Sequence, residues 1–62
     1  MRLVKLTAKE GFEVWVNREQ VECVHPNEKI IGECILRFAG GHGVIILKGS
    51  AQEVVDELRS AV

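Results

Sequence analysis

The sequence predicts a mainly β domain. About five short strands should form an antiparallel sheet or an SH3-like partial barrel, with one C-terminal amphipathic helix laid against it. Three observations carry this. The first two thirds of the chain alternate apolar and polar residues in short runs, the period of half-buried strands. Gly40-Gly41-His42-Gly43 separates two apolar runs, as a hairpin turn does. Ser50 is followed three residues later by Glu53 and then by apolar residues at helical spacing, the signature of a capping box.

In chain order, residues 2–7 alternate, with Val4 and Leu6 facing one way and Leu3 and Lys5 the other. Lys9-Glu10-Gly11 is a turn in which glycine takes a positive φ at no steric cost. Phe12, Val14 and Val16 then share one side of a second strand, opposite Glu13, Trp15 and Asn17. Asn17-Arg18-Glu19-Gln20 should form a turn or one loose helical turn, with the Asn17 side chain capping backbone amides. Val21 to His25 is a short third strand whose parity fails, because Val21 and Cys23 face one way and Val24 the other. Two partly covered faces or a bulge would account for that. His25-Pro26 ends it, since proline donates nothing to a ladder.

The segment from Pro26 to Glu33 has the least readable pattern. Cys34, Leu36 and Phe38 then alternate with Ile35, Arg37 and Ala39 in a fourth strand. The fifth, Val44 to Lys48, carries β-branched bulk on both faces, which suggests a central or doubly covered position. Gly49 closes it. Ala51, Val54, Val55 and Leu58, with Val62 on the same spacing, form the apolar stripe of a helix too short to persist alone. Short connections make sequential strands neighbours.

All 62 residues fit one domain. A chain of this size buries only about 60% of its unfolded surface, so its stability is thin and a partner subunit is a natural supplement. Eight basic residues against nine acidic ones give a formal charge of -1. That balance offers no general attraction to nucleic acid or anionic lipid and little resistance to self-association. The start of the chain has no apolar run of signal-peptide length, and nothing approaches a membrane span. A cytoplasmic location with reduced cysteines is the expectation.

Cys23, His25, Cys34 and His42 are the residues closest to a metal set, and two cysteines with two histidines is an allowed zinc combination. The close Cys-x-x-Cys knuckle is missing and His42 lies on a distant turn tip. Metal and cofactor are therefore not expected, and the cysteines are expected to pack as small hydrophobes. A Cys23–His25 nucleophile pair would run parallel on an exposed strand with no pocket around it, so no catalytic residue is expected. The Gly40–Gly43 loop feeds a strand rather than a helix N-terminus, which favours a hairpin over a phosphate cradle. The basic residues are scattered among acids from Arg2 to Arg59. The wet face of the helix carries Glu53, Asp56 and Glu57. Nucleic-acid binding is unfavoured on that pattern. Trp15, on the outward side of its strand, should be covered by the 26–33 segment or by a second subunit. Val24, Ile30 and Ile31 join Trp15 as expected interface residues.

Several stretches together resemble the small FlbD-like proteins. They are Leu3 to Thr7, Gly11-Phe12-Glu13-Val14-Trp15-Val16-Asn17, Gln20-Val21-Glu22-Cys23-Val24, Ile35-Leu36-Arg37-Phe38-Ala39-Gly40-Gly41, and Ile46-Leu47-Lys48-Gly49-Ser50-Ala51-Gln52-Glu53-Val54-Val55. Asn17, Gly41, Ser50, Glu53 and Val54 match the pattern's asparagine turn, glycine hairpin and serine-capped helix with its Glu-Val pair. The chain departs by the Pro26-containing excursion and by Gly49, where an acidic residue is common. Members are about this length and often described as flagellar or motility-associated, with relatives in mobile elements. The resemblance implies no catalytic residues. Part of the strand pattern is also similar to LytTR-type DNA-binding domains.

The expected function is thus a non-catalytic protein-interaction or assembly module, a homo-oligomer without membrane or nucleic-acid partners. A small transcriptional regulator is the alternative.

Overall fold

Each of the five alternating runs contains a strand, although Phe12 lies before the second and Ala39 falls in a 3-10 turn after the fourth. The computed structural model describes residues 3–60, so Arg2 of the expected first strand and Val62 of the helical stripe lie outside the described residues. The strands are β1 (Leu3–Thr7), β2 (Glu13–Asn17), β3 (Val21–Pro26), β4 (Glu33–Phe38) and β5 (Val44–Lys48), followed by the helix α1 (Ala51–Ser60).

The five strands divide into two antiparallel sheets rather than forming one. β1 and β2 make a hairpin, and β3, β4 and β5 make a meander with β4 in the centre. The expectation that all sequential strands pair fails between β2 and β3. There Arg18–Gln20 form a 3-10 turn, with the Glu19 N–H donating to Asn17 Oδ1 at 3.0 Å. A helical turn redirects the chain where a hairpin turn would fold it back. Among the described residues, the sheets touch edge to edge at one bridge, Ala8 with Leu47, beside the Lys9 N–H bonded to the Ile46 carbonyl at 3.1 Å.

The lost parity of β3 is a bulge. The register shifts between Val21 and Cys23, so Val21 pairs with Phe38 and Val24 with Leu36. Three steps on β3 thus match two on β4, and both valines turn toward the core. β5 is an edge strand of its sheet rather than a central one, and Val44 is half exposed. Its apolar bulk divides between inward Ile45 and Leu47 and outward Val44 and Ile46. Phe12 also departs from expectation. It precedes β2, its carbonyl accepts the Ala8 N–H at 2.8 Å, and its side chain is exposed instead of sharing a buried face with Val14 and Val16.

The Pro26–Glu33 excursion closes as a compact turn. The Asn27 N–H donates to the Glu33 carbonyl at 3.0 Å, and Asn27 Oδ1 accepts from the Lys29 N–H at 3.1 Å. Its tip holds Ile31 fully in solvent. The Gly40–Gly43 segment turns β4 into β5, with Gly40 and Gly41 in the left-handed region that glycine adopts without strain.

The core is Val4, Leu6 and Val16 from the hairpin, Cys34, Leu36 and Leu47 from the meander, and Val54 and Leu58 from the helix. Glu53 N–H donates to Ser50 Oγ at 3.2 Å while Ser50 N–H donates to Glu53 Oε1 at 2.9 Å, the reciprocal capping box expected. The helix lies against β1, β3 and β4. Its far end is tied by Arg18 Nη1 donating to the Leu58 carbonyl at 3.1 Å, a cation where the helix dipole is negative. The helix covers one face of the meander. The other face is where the surface chemistry lies.

Candidate interaction surface

Register decides what the outer face of the meander displays. In an antiparallel pair, residues directly opposite share a face. Cys34 with Leu47 and Leu36 with Ile45 point inward, so Glu33 with Lys48, Ile35 with Ile46 and Arg37 with Val44 point outward. From β3, His25 opposite Ile35 and Cys23 opposite Arg37 join them. The result is an apolar centre, Ile35 and Ile46, with Val44 beside it and charges at both ends of β4. Ile35 and Ile46 are half-buried and Val44 is exposed, while the helix makes its contacts with β3 and β4 on the opposite side.

Two hollows flank Ile46. One of about 420 Å³ is lined by His25, Pro26, Asn27, Glu28, Lys29 and Ile35 as well. The other, about 240 Å³, runs past Phe12, Val44 and the Ala8–Glu10 turn. The first lies beside the β3–β4 turn, and the second, which Ile45 also lines, lies at the β5 edge. A third hollow, about 340 Å³, lies between β1, the end of β5 and the helix start, and mixes Lys5 and Lys48 with Glu53 and Glu57.

The hairpin has its own outward face. Lys5 lies opposite Trp15 and Leu3 opposite Asn17, which makes Leu3 and Trp15 diagonal neighbours. Lys5 Nζ and Glu13 Oε2 form an ion pair at 3.2 Å, both side chains more than half exposed, and worth little in water. Trp15 is 58% exposed, so the 26–33 segment does not cover it. Ile30 and Ile31 are exposed near the tip of the β3–β4 hairpin. Val24 is placed differently from the other three expected interface residues, since it packs against the core.

The cysteines and histidines do not converge. Cys23 and His25 share the outer face as expected, while Cys34 lies fully buried on the inner one and His42 sits in the β4–β5 turn. Among the described residues, no three histidine, cysteine or acidic side chains are placed to hold a metal ion.

Two titratable groups depart from their ordinary values. Hydrogen bonds from the Ser50 backbone and hydroxyl group hold the Glu53 carboxyl below the usual carboxylate range. Burial pushes the Cys34 thiol up, and the nearby Glu53 charge adds to that. The fold accounts for each, one as a helix cap and the other as a core thiol.

Sequence reasoning missed the Ile35–Ile46 face as a candidate surface. The signal was present, because Ile35 and Ile46 are out of phase with Cys34, Leu36, Ile45 and Leu47. On β5 the same pattern suggests a central or doubly covered strand instead. No protein-family model matches the chain, and no curated protein or solved structure matches it.

Proposed function

We propose that this chain is a non-catalytic protein-interaction module that assembles with copies of itself. One observation carries the reading: the outer face of β3–β4–β5 sets half-buried Ile35 and Ile46 in a row with exposed Val44. Isolated exposed apolar residues are ordinary on a monomer, whereas a contiguous row rimmed by charges is the anatomy of an interface. The size of the chain supports it too. A small core leaves little stability in reserve, and a partner that binds only the folded form adds to it.

In this reading the two sheets, joined at Ala8–Leu47, act as an SH3-like partial barrel whose helix side is the core and whose opposite side is the contact surface. The resemblance to FlbD-like proteins supports reading such a module as cytoplasmic and motility-associated. Sedimentation equilibrium over a wide concentration range tests the proposal. The expected result is a mass rising from one chain toward two or more. A mass fixed at one chain throughout would refute self-association.

A further inference from the structure

We propose that two copies associate through the outer faces of their β3–β4–β5 sheets, about a twofold axis that runs across the strands at Ile35, so that Arg37 of each copy meets Glu33 of the other. This rests on the self-association proposed above and names its surface and geometry.

The inference comes from charge order along one strand. β4 presents Glu33, Ile35 and Arg37 outward in that sequence, and successive outward residues stand about 6–7 Å apart. An acid and a base therefore flank an apolar centre at equal distances. Two sheets packing face to face keep their strands within about 30° of one another in the aligned class. In that class a twofold axis lies in the interface either along the strands or across them. An axis along the strands sets Arg37 over Arg37 and Glu33 over Glu33, two like-charge contacts in a partly desolvated face. An axis across the strands reverses β4 over its own copy and sets Arg37 over Glu33 twice. Like-charge juxtaposition is a strong discriminator between docking modes, so the charges select the second arrangement.

The β5 residues agree with that choice. Val44 stands beside Arg37 and Lys48 beside Glu33, so the same axis lays Lys48 of one copy over Val44 of the other. A lysine stem covers an apolar neighbour while its ammonium reaches the rim. Ile35 and Ile46 are directly opposite each other, so both lie along this axis and each meets its own copy at the centre of the contact. A second copy is the occupant that the pattern fits, because under such a symmetry the acid and base of one surface are complementary to themselves.

A charge-swap experiment tests this, with assembly read by sedimentation and folding by circular dichroism. Arg37→Glu alone sets acid on acid at both contacts, and Glu33→Arg alone sets base on base. Each is expected to weaken self-association at least tenfold. Mixing the two single variants should restore a dimer, because every contact then pairs opposite charges, and the Arg37→Glu/Glu33→Arg double variant should dimerise by itself. Ile46→Lys, on the same face and outside the core, should be monomeric and decides the matter if a swap unfolds the chain. Single swaps that assemble like the wild type, or a mixture that stays monomeric, would overturn the twofold arrangement. If the wild type dimerises and Trp15→Ala rather than Ile46→Lys dissociates it, the surface is wrong and self-association stands. A wild type that is monomeric at all concentrations removes both.

Discussion

Burial separates the two thiols of this chain. Cys34 is fully buried beside Leu36 and Leu47, whereas Cys23 is exposed on the outer face of β3. Reactivity requires an accessible thiolate, so a disulfide reagent should label one thiol in the dilute, folded single chain, and Cys23→Ser should abolish that labelling. Cys34 should react only once denaturant unfolds the chain. Its raised folded pKa also links stability to pH. The contribution is present below the ordinary thiol range, where both states hold the proton. It is lost as pH rises through the folded value, since the unfolded thiol ionises first. Urea midpoints measured across alkaline pH should therefore decline, and less so in Cys34→Ala once its lower starting stability is subtracted. A flat alkaline profile in the wild type would contradict this.

The helix is the element on which the rest depends, and its two ends act differently. At the start, Ser50→Ala removes the hydroxyl that accepts the Glu53 N–H and should cost about 0.5–2 kcal/mol in urea unfolding. Glu53 has a depressed folded pKa, so its contribution is present above the unfolded carboxyl value and lost as pH falls through the lower folded one. Glu53→Gln should flatten that acid limb of the stability profile. Further along, Leu58 lies 8% exposed in the core, and Leu58→Ala should cost about 2–5 kcal/mol, with the value set by how far the sheet collapses on the gap. The helix and the Gly40–Gly43 hairpin were legible in the sequence because their chemistry is local: a hydroxyl and a carboxylate three apart, glycines between two strands. The division into two sheets was not, because whether Arg18-Glu19-Gln20 folds back or turns aside depends on where the helix places the Leu58 carbonyl that Arg18 reaches. Faces follow the same logic. Alternation separated Ile35 and Ile46 from Cys34 and Leu47, but which of two apolar faces the lone helix covers is a tertiary fact. Trp15, Ile30 and Ile31 were found exposed, while the bulge at Val21–Cys23 turned Val24 inward.

At the scale of the whole molecule, compactness and exposed apolar surface coexist. The radius of gyration is 10.6 Å, which is what the general scaling gives for a globular chain of this length. The exposure of Val44, Phe12 and Trp15 is therefore not the looseness of a partly collapsed chain. It follows from geometry, since one ten-residue helix roofs one side of a three-stranded sheet and cannot roof the other. In the proposed dimer an identical sheet covers the second side, and folding and assembly are then one linked equilibrium, because the outer face exists only in the folded state. Linkage then requires stability to depend on protein concentration. The urea midpoint of the wild type should rise steadily as concentration is raised, by about 1.4 kcal/mol per dimer, or about 0.7 kcal/mol per chain, for each tenfold increase once the dimer dominates. Ile46→Lys, folded but unable to pair, should show a midpoint that does not move with concentration and that matches the dilute limit of the wild type. A wild-type midpoint equally indifferent to concentration would mean that the sheet stands alone.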